Sequence, residues 1–228
     1  VSLWVDRQES IDGVAGGFGV VGGLLNPANP FSNPDILTWP GWNPDTKDAD
    51  RAEATQLMAD AGYPDGFELD YNCLSTGSWA DRCEFLASQL AGLNIKMNIE
   101  LMDAPAWTAA ATTLEYGAIQ SAGGIVSFMP EPNEPGFVTY SEATTAIVKH
   151  EDPKVATYFD RLKATNVLEE RIAIWQEFER YWLIEQYYAV PVAGNVATIP
   201  YRSWVKGRIH PPEQIMAYMD FATVWLDK

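Results

Sequence analysis

Apolar and polar positions alternate with two different periods along the first half of the chain. Residues 67–74 and 95–101 carry apolar side chains at nearly every second position, which predicts two β-strands. Residues 48–61 and 78–93 carry them at steps of three and four, which predicts a helix before each strand. A strand, a helix and a strand at this spacing favour a crossover unit with parallel strands.

The ends of these elements carry their own signals. Asp48 or Asp50 can cap the first helix, Gly62 stands where a helix-ending glycine belongs, and Ser78 can cap the second helix. The second strand then has one predicted buried side, made of four apolar residues at alternate positions: Ile95, Met97, Ile99 and Leu101.

The regions around this unit are mixed. Residues 1–14 carry apolar side chains at helical spacing, and Gly16 and Gly17 are expected to end that helix. A stretch dense in Gly, Pro and Asn follows over residues 19–44. An irregular stretch of that length in a compact domain is usually functional. A helix is predicted from Pro105 to about Leu114, and a third strand over residues 118–124.

The second half is predicted to be mainly helical. Residues 125–144 are loop-like, Asp152 and Pro153 open a helix towards Ala164, and residues 187–192 are predicted as a strand before short strands and turns. The pattern as a whole predicts an α/β fold with a mixed sheet flanked by helices. A long amphipathic helix runs from Leu168 to about Gln186, with an apolar stripe of Leu168, Ile172, Trp175, Phe178 and Trp182.

Charge excludes some classes of partner. The chain has 228 residues, 15 Lys and Arg against 31 Asp and Glu, and a formal net charge of −16. A protein that neutralises phosphates needs the basic residues that are scarce here, so neither nucleic acid nor an anionic lipid surface is predicted as a partner. No apolar run is long enough to span a bilayer. The start lacks a signal peptide and an initiator Met, so we expect the chain to be part of a longer protein.

Cysteine and histidine usage gives no metal site. Cys73 and Cys83 do not have zinc-ligand spacing, and His150 and His210 are isolated from each other and from both cysteines. The two cysteines are interpreted either as a disulfide in an oxidising compartment or as two small buried apolar residues. No cofactor and no nickel site are predicted.

Several segments, in order, resemble the dipeptide, oligopeptide and nickel-binding family (family 5) of extracellular solute-binding proteins of ABC transporters. The most specific is DAGYPDGFEL at residues 60–69, after DRAEA at residues 50–54. The other matching segments are VDRQESI at 5–11, GGFG at 16–19, LAGLNIK at 90–96, the dipeptide AW at 106–107, WVKG at 204–207 and WLDK at 225–228.

The resemblance implies one lobe of a two-lobed, type II periplasmic-binding-protein clamshell. Residues 1–200 would form the second, C-terminal lobe, and residues 201–228 a tail that returns towards the hinge and the first lobe. The implied protein is a monomeric, non-enzymatic capture component, located in the periplasm or extracellularly. It would be held at the membrane by an anchor such as a lipid in the full-length parent. Its partners would be a small solute, a peptide or an oligosaccharide, and the ABC permease.

The same resemblance indicates ligand-binding residues. In the family, the second lobe contributes a recurrent Trp, here Trp107, and the segment after the third strand, here residues 120–130. Glycines in such a segment let backbone amides approach a ligand, and hydroxyl and amide side chains can hydrogen-bond to it. Trp39, in the Pro-rich loop, is interpreted either as a stacking surface for a sugar or as an anchor of that loop. The residues predicted to bind ligand are Trp107, Gln120, Ser121, Gly123, Gly124, Ser127, Phe128 and Trp39.

One departure from the family pattern bears on the ligand. Peptide binders of the family carry an acid soon after the third strand to hold the α-amine of the peptide. Here the corresponding residues are Ile125, Val126 and Ser127, and the first acids are Glu131 and Glu134. An oligosaccharide is therefore the alternative ligand.

Two other classes of function remain as alternatives. A glycoside-acting enzyme needs two carboxylates about 5–10 Å apart, and Glu131, Glu134 and Asp152 are the candidates. No nucleophile elbow, phosphate-binding loop, dinucleotide fingerprint or zinc-protease motif occurs in the sequence, so no catalytic residues are predicted. An interaction module that keeps the lobe fold without transport is the other alternative.

Overall fold

The computed structural model describes residues 1–113, 115–119, 152–192, 194–195, 201–207 and 223–227. Helices and strands are both present, as the α/β prediction requires. The helices are α1 (Arg7–Val14), α2 (Lys47–Asp60), α3 (Trp79–Leu90), α4 (Ala104–Thr113), α5 (Pro153–Ala164) and α6 (Leu168–Arg180). The strands are β1 (Gly19–Val20), β2 (Phe67–Leu74), β3 (Ile95–Met102), β4 (Ala118–Ile119), β5 (Gly194–Asn195), β6 (Val205–Lys206) and β7 (Trp225–Leu226).

A three-stranded parallel sheet lies at the centre of the crossover unit. Its strand order is β3-β2-β4, and β2 pairs with β3 in parallel from Phe67–Ile95 to Leu74–Met102. The prediction of parallel pairing through a helix is confirmed. β4 pairs with β2 through Ala118 and Ile119, so the carboxyl ends of all three strands lie at one edge of the sheet.

The Pro- and Gly-rich stretch of residues 19–44 is part of the hydrophobic core. It contains a short 3₁₀ turn at Ile36–Thr38, and its apolar side chains pack against α5 and α6 around Trp175 and Phe178. Burial of this many apolar groups explains how a segment with little regular structure holds one conformation. The buried apolar residues from the stretch are Leu24, Leu25, Phe31, Ile36, Trp39 and Trp42.

Two buried cations join distant parts of the chain. The Arg7 guanidinium donates to the carbonyl oxygens of Gly41, at 2.6 Å, and Pro191, at 2.9 Å, and stacks on the Trp42 ring at 3.6 Å from its centroid. The Lys47 ammonium donates to the Gly41 carbonyl at 2.8 Å and the Val5 carbonyl at 3.0 Å. Burial lowers the pKa of Arg7 to about 9, and the carbonyl oxygens replace the water that a buried cation loses.

Two predictions about helix and strand ends are wrong. Neither Asp48 nor Asp50 caps α2, because the helix begins one residue earlier, with Thr46 as its N-cap and Asp50 in its first turn. Asp50 instead accepts a hydrogen bond from the Gly41 amide at 2.9 Å. Leu101 was expected on the buried side of β3, and it is 53% exposed, whereas Ile95 is 2% exposed. α3 packs against the amino half of β3, so the far end of that face stays open.

The strand predicted over residues 187–192 does not form. Tyr187 has φ +54°, in the left-handed region, where an extended strand cannot continue. Its neighbour Tyr188 donates its backbone N–H to the Trp182 carbonyl at 3.1 Å, which closes the π-helical turn Tyr181–Glu185 that follows α6. The side chain of Tyr188 also donates to the Asp152 carboxylate at 2.9 Å.

Cys73 and Cys83 form a disulfide between β2 and α3, with a Cα–Cα distance of 6.6 Å. The interpretation of two unpaired buried thiols is therefore wrong, although both residues are buried, at 0% and 2% exposure. A strand end and the helix that follows it are thus covalently joined.

Within the ranges given above, no helix combines the length and the apolar character that crossing a bilayer requires.

Candidate ligand-binding edge

The two helices that connect the parallel strands lie on opposite faces of the sheet. Leu69 packs with α3 residue Leu90 in one apolar cluster, whereas Leu74 packs with α4 residue Trp107 in another. Leu69 and Leu74 are five positions apart in β2, so their side chains point to opposite faces. Met102 follows Leu74 into the second cluster.

This arrangement predicts a crevice at the carboxyl edge of the sheet. The chain leaves β2 towards one face and leaves the adjacent strand β3 towards the other, so the two connections diverge. Open α/β sheets bind ligands at the carboxyl ends of strands where neighbouring connections diverge in this way. We call the residues at this crevice the ligand-binding edge: residues 74–79, residues 102–107 and the end of β4.

The turn after β2 is an exposed part of the ligand-binding edge. Residues 75–78, Ser-Thr-Gly-Ser, are all exposed, and Gly77 adopts φ +62°, a conformation that glycine takes without strain. The amide of Ser75 donates to the Met102 carbonyl at 2.8 Å, which ties the turn to the end of β3. The hydroxyls of Ser75, Thr76 and Ser78 make no side-chain hydrogen bond anywhere in the described ranges.

A tryptophan from each connecting helix packs at the same edge. Trp107 of α4 is 8% exposed and lies in the cluster of Leu74 and Ala111, and Trp79 of α3 packs against that cluster. The Arg82 guanidinium lies 4.9 Å from the centroid of the Trp79 ring. Trp107 is therefore mainly a packing residue, and it supports the surface on which a ligand would lie.

Asp103 orders the other side of the edge. Its carboxylate accepts the Ala106 amide at 2.9 Å, and its carbonyl accepts the Trp107 amide at 2.9 Å. The first bond satisfies a first-turn amide of α4 that has no partner inside the helix, and the second is the first i→i−4 bond of that helix. The start of α4, and with it Trp107, is thereby held at the end of β3.

Of the predicted ligand residues, only Trp107 and Trp39 lie within the described ranges. Gln120, Ser121, Gly123, Gly124, Ser127 and Phe128 lie outside them, directly after the described part of β4. The described part of β4 ends at Ile119, which pairs with Asn72 of the central strand.

Trp39 is not part of this edge. It is 2% exposed and belongs to the core cluster of α5 and α6, where its ring packs edge-on to Trp42 at 6.0 Å between centroids. Trp107 belongs to a different cluster. Of the two interpretations of Trp39, its burial corresponds to the anchor of the Pro-rich loop and leaves the indole no face for stacking on a sugar.

A second concave surface lies on the α4 face, over residues 70–72 of β2 and residues 98–102 of β3. It is an open groove of about 560 Å³, lined by Asp70, Asn72, Asn98, Glu100, Glu115 and Tyr116 among others. Its polar groups bond to one another: the Asn98 amide donates to Asp70 at 3.0 Å, and the Asn72 amide donates to Glu100 at 3.3 Å.

The same ladder continues at Glu68. Hydrogen bonds from Lys96, at 2.9 Å, and Asn98 lower the pKa of the Glu68 carboxyl below its ordinary value. These cross-strand pairs explain how one face of a parallel sheet stays open to water. They do not form a metal centre, since no group of three or more His, Cys, Asp or Glu side chains in the described residues has a metal-binding arrangement.

Asp152, the one glycosidase candidate in the described ranges, has a structural role. Its carboxylate accepts the Lys154 amide as the N-cap of α5 and the hydroxyls of Tyr181, at 2.6 Å, and Tyr188, at 2.9 Å. The bond to Asp152 raises the pKa of Tyr181. Glu131, Glu134, His150 and His210 lie outside the described ranges.

Sequence reasoning missed the turn at residues 75–78 and Trp79. The signal was present, because Ser-Thr-Gly-Ser directly follows a predicted strand, and polar residues at that place face the ligand crevice of α/β sheets.

Solved structures share this fold. The Escherichia coli murein tripeptide binding protein MppA aligns over 100% of this chain and 44% of its own, with 17% identity and a TM-score of 0.76. A dipeptide binding protein from Pseudoalteromonas sp. SM9913, in complex with Met-Leu, aligns over 99% and 44%, with 15% identity and a TM-score of 0.70. AgaA from A. tumefaciens R10, in complex with agropinic acid, aligns over 85% and 39%, with 20% identity and a TM-score of 0.59.

These neighbours are longer than the present chain, which spans less than half of each. At these identities the likeness shows the fold, which is that of a type II periplasmic binding protein. No curated protein matches the chain closely by sequence. Residues 1–146 match the sequence profile of the bacterial extracellular solute-binding proteins, family 5, middle region. The chain therefore belongs to family 5 of the bacterial extracellular solute-binding proteins.

Proposed function

We propose that the protein captures a small solute outside the cytoplasmic membrane and delivers it to the permease of an ABC importer. The chain described above would form the second lobe, over residues 1–200. The observation that carries the proposal is the ligand-binding edge, where an exposed Ser-Thr-Gly-Ser turn lies beside the packed rings of Trp79 and Trp107.

The mechanism follows from the shape of the edge. One lobe offers a ligand a single wall, so a stable complex requires a second wall that closes on it. Closure of two lobes about a hinge excludes water from the site and strengthens each hydrogen bond made there. The closed form would then be the one that the permease recognises. No residue is assigned a catalytic role, and we propose that the protein acts by binding alone, as a monomer.

Peptides are the first candidate ligands. The Pseudoalteromonas neighbour was solved with the dipeptide Met-Leu, and a Helicobacter pylori neighbour with the peptide STSA. Hydroxyls such as those of Ser75 and Thr76 can donate to a peptide carbonyl and accept from a peptide N–H.

Oligosaccharides are the second candidate. The residues after β4 include Ile125, Val126 and Ser127, with no acid to pair with the α-amine of a peptide. The AgaA neighbour, solved with agropinic acid, is an example of this fold with a ligand that its description does not call a peptide.

The disulfide supports a location outside the cytoplasm. Disulfides form and persist in oxidising compartments and are rare where glutathione and thioredoxin keep thiols reduced. Cys73 and Cys83 are joined and buried. We propose a periplasmic or extracellular location, with the full-length protein held at the membrane by an anchor such as a lipid.

The tail supports the presence of a further structural partner. β6 and β7 form a two-stranded antiparallel ribbon on which Trp204, Trp225 and Leu226 are 40%, 55% and 57% exposed. An isolated two-stranded ribbon is marginally stable in water. We propose that residues 201–228 pack against the first lobe near the hinge.

A thermal-shift screen of the full-length protein tests the proposed function. Di- to oligopeptides, oligosaccharides and Ni²⁺ are added separately, and a ligand that binds only the native state raises the melting temperature by mass action. A shift with peptides or with oligosaccharides is expected, and none with Ni²⁺. Turnover of a chromogenic glycoside panel would instead support the enzyme alternative. The absence of any shift would favour the interaction-module alternative.

A further inference from the structure

The disulfide lies directly beneath the exposed turn of the ligand-binding edge. Cys73 is the last but one residue of β2, and Cys83 is in the second turn of α3. Both are buried, so the bond is inside the lobe, whereas the residues between them include the exposed turn at 75–78. The bond therefore fixes the distance between the two elements that the turn connects.

The start of α3 has no side-chain cap in the described residues. Ser78 occupies the N-cap position but its side chain makes no capping hydrogen bond. The backbone bonds at this point are long, at 3.4 Å from the Trp79 amide to Thr76 and 3.3 Å from the Arg82 amide to Ser78. Side-chain capping normally stabilises the start of a helix. In α3 the side-chain cap is missing, and the disulfide attaches the helix to β2 at Cys83, one turn after its first residue.

The opposite connection is built differently. The start of α4 is held by Asp103, which accepts amides of Ala106 and Trp107 through its carboxylate and carbonyl. The α4 side of the crevice is thus ordered by hydrogen bonds to Asp103, whereas the α3 side has the disulfide in addition to the packing of Trp79.

We propose that the Cys73–Cys83 disulfide is a positioning element of the ligand-binding edge. It holds the turn at residues 75–78, and Trp79 beyond it, in the place from which their polar groups reach a solute. Preorganised groups lose less conformational entropy on binding than mobile ones, so loss of the bond weakens solute binding even where the lobe stays folded.

The turn has the chemistry of a subsite for neutral polar groups. Ser75, Thr76 and Ser78 each supply a hydroxyl that both donates and accepts, and no ionisable side chain occurs among residues 75–78. The solute groups that match it are peptide amides and sugar hydroxyls. This assignment rests on the proposed solute-binding function.

Hydrogen–deuterium exchange on the full-length protein tests the positioning role without a ligand. The variant is the double substitution Cys73→Ala with Cys83→Ala. The matched control is Leu162→Ala, which removes a side chain 4% exposed in the core of α5 and α6. Both variants lower the free energy of unfolding, and exchange is compared at equal distance below each melting temperature.

We expect exchange in the disulfide variant to rise about tenfold over residues 74–83 while α5 and α6 keep their protection, since local opening has its own free energy. Leu162→Ala is expected to give the opposite pattern. Uniform loss of protection over both regions, or unchanged exchange at residues 74–83, would overturn the proposal and leave the disulfide as a general staple.

A binding arm separates this proposal from the proposed function. Titrations of the wild type, the disulfide variant and Leu162→Ala use Met-Leu, tri-alanine and maltotriose as probes. An affinity lowered about tenfold in the disulfide variant and unchanged in Leu162→Ala supports the proposal, and equal affinities would overturn it. If the wild type binds none of the probes, the result counts against the proposed ligands, and the exchange experiment still decides the positioning role.

Discussion

The Glu179 carboxylate accepts a 2.7 Å hydrogen bond from the amide of Leu24, a residue 155 positions earlier in the chain. The Asn33 side-chain amide donates to the same carboxylate at 2.6 Å. Glu179 is 0% exposed, and a methyl group at Gly23 would lie 2.3 Å from its Oε1. A buried acid in α6 thus fixes the Pro-rich loop onto the helix through groups that leave no room for water.

This burial has a consequence for stability against pH. Desolvation raises the pKa of Glu179 above its ordinary value, although the hydrogen bonds from Asn33 and Leu24 oppose the shift. The native state therefore holds the proton more tightly than the unfolded state does. By linkage, the contribution of this group to stability is fully present below the unfolded pKa and is lost as pH rises through the folded one.

Glu179→Gln tests that linkage. The difference in the free energy of unfolding between wild type and variant is expected to fall as pH rises above the ordinary pKa of a glutamate, because ionisation of the buried carboxyl destabilises the native state. Urea denaturation at several pH values measures it. Glu177→Gln, on the exposed side of the same helix, is the control, and a pH-independent difference at Glu179 would contradict the account.

The loops before β2 and β3 approach so closely that one position requires glycine. Gly66 has φ +78°, and a Cβ there would lie 2.0 Å from the Asn94 carbonyl oxygen. Gly62 has φ +87° with nothing within 4 Å of its Cβ position. Gly62→Ala is therefore expected to cost about 1 kcal/mol from backbone strain alone, and Gly66→Ala about 3 kcal/mol or more. Equal melting temperatures for the two variants would show that the close approach to Asn94 is absent.

Arg7 is expected to be irreplaceable by lysine. Its planar guanidinium donates in several directions, to Gly41, to Pro191 and to Ser2, while it stacks on Trp42. A single ammonium cannot reproduce that geometry. Arg7→Lys should lower the free energy of unfolding by about 3 kcal/mol.

The control is Arg202→Lys, which changes an exposed arginine beside the Trp204 ring and should have an effect below about 0.5 kcal/mol. Chemical denaturation of the two variants gives the comparison. If Arg7→Lys also changed the free energy of unfolding by less than about 0.5 kcal/mol, the buried hydrogen bonds of the guanidinium would not contribute to stability as proposed.

The disulfide is expected to resist reduction in the native state. Cys73 and Cys83 are 0% and 2% exposed, so a thiolate reductant reaches the bond only after local or global opening. Thiol labelling after incubation with dithiothreitol should be slow without urea and fast with it. By the chain-entropy estimate for residues ten positions apart, removal of the bond should cost about 3 kcal/mol. Rapid labelling in native buffer would contradict the burial of the bond.

Local pattern was enough to predict the crossover unit. β2 was predicted over residues 67–74 and occupies Phe67–Leu74, and α2 begins one residue before its predicted start. The period-two and period-3.6 patterns here agree with the tertiary packing, so each residue has one structure that suits both. Gly62 has the positive φ of a helix-ending glycine, as predicted.

Features that depend on distant residues could not be predicted in this way. The left-handed Tyr187 is next to Tyr188, whose hydroxyl donates to Asp152, 36 residues away. The burial of Trp39 depends on α6, far along the chain. The choice between a disulfide and two thiols depends on the 6.6 Å between the Cα atoms of Cys73 and Cys83, which spacing along the sequence does not give.

The ligand-binding edge makes one prediction about tryptophan. Trp107→Phe and Trp39→Phe both replace a buried indole with a smaller ring, but only Trp107 lies at the ligand-binding edge. Both should lower the free energy of unfolding of the full-length protein to a similar degree, by roughly 1–2 kcal/mol. Trp107→Phe alone should weaken solute binding, which titration calorimetry measures. A greater loss of affinity in Trp39→Phe would move the binding surface to the Pro-rich loop.

Solute capture is tested most sharply by isothermal titration calorimetry of the full-length protein with peptides and with oligosaccharides. We expect saturable binding of one of these two classes, with a negative heat-capacity change from the apolar surface buried between two closing lobes. Binding of neither class by a folded protein would contradict the proposal that this family 5 chain forms one wall of a solute-capturing cleft.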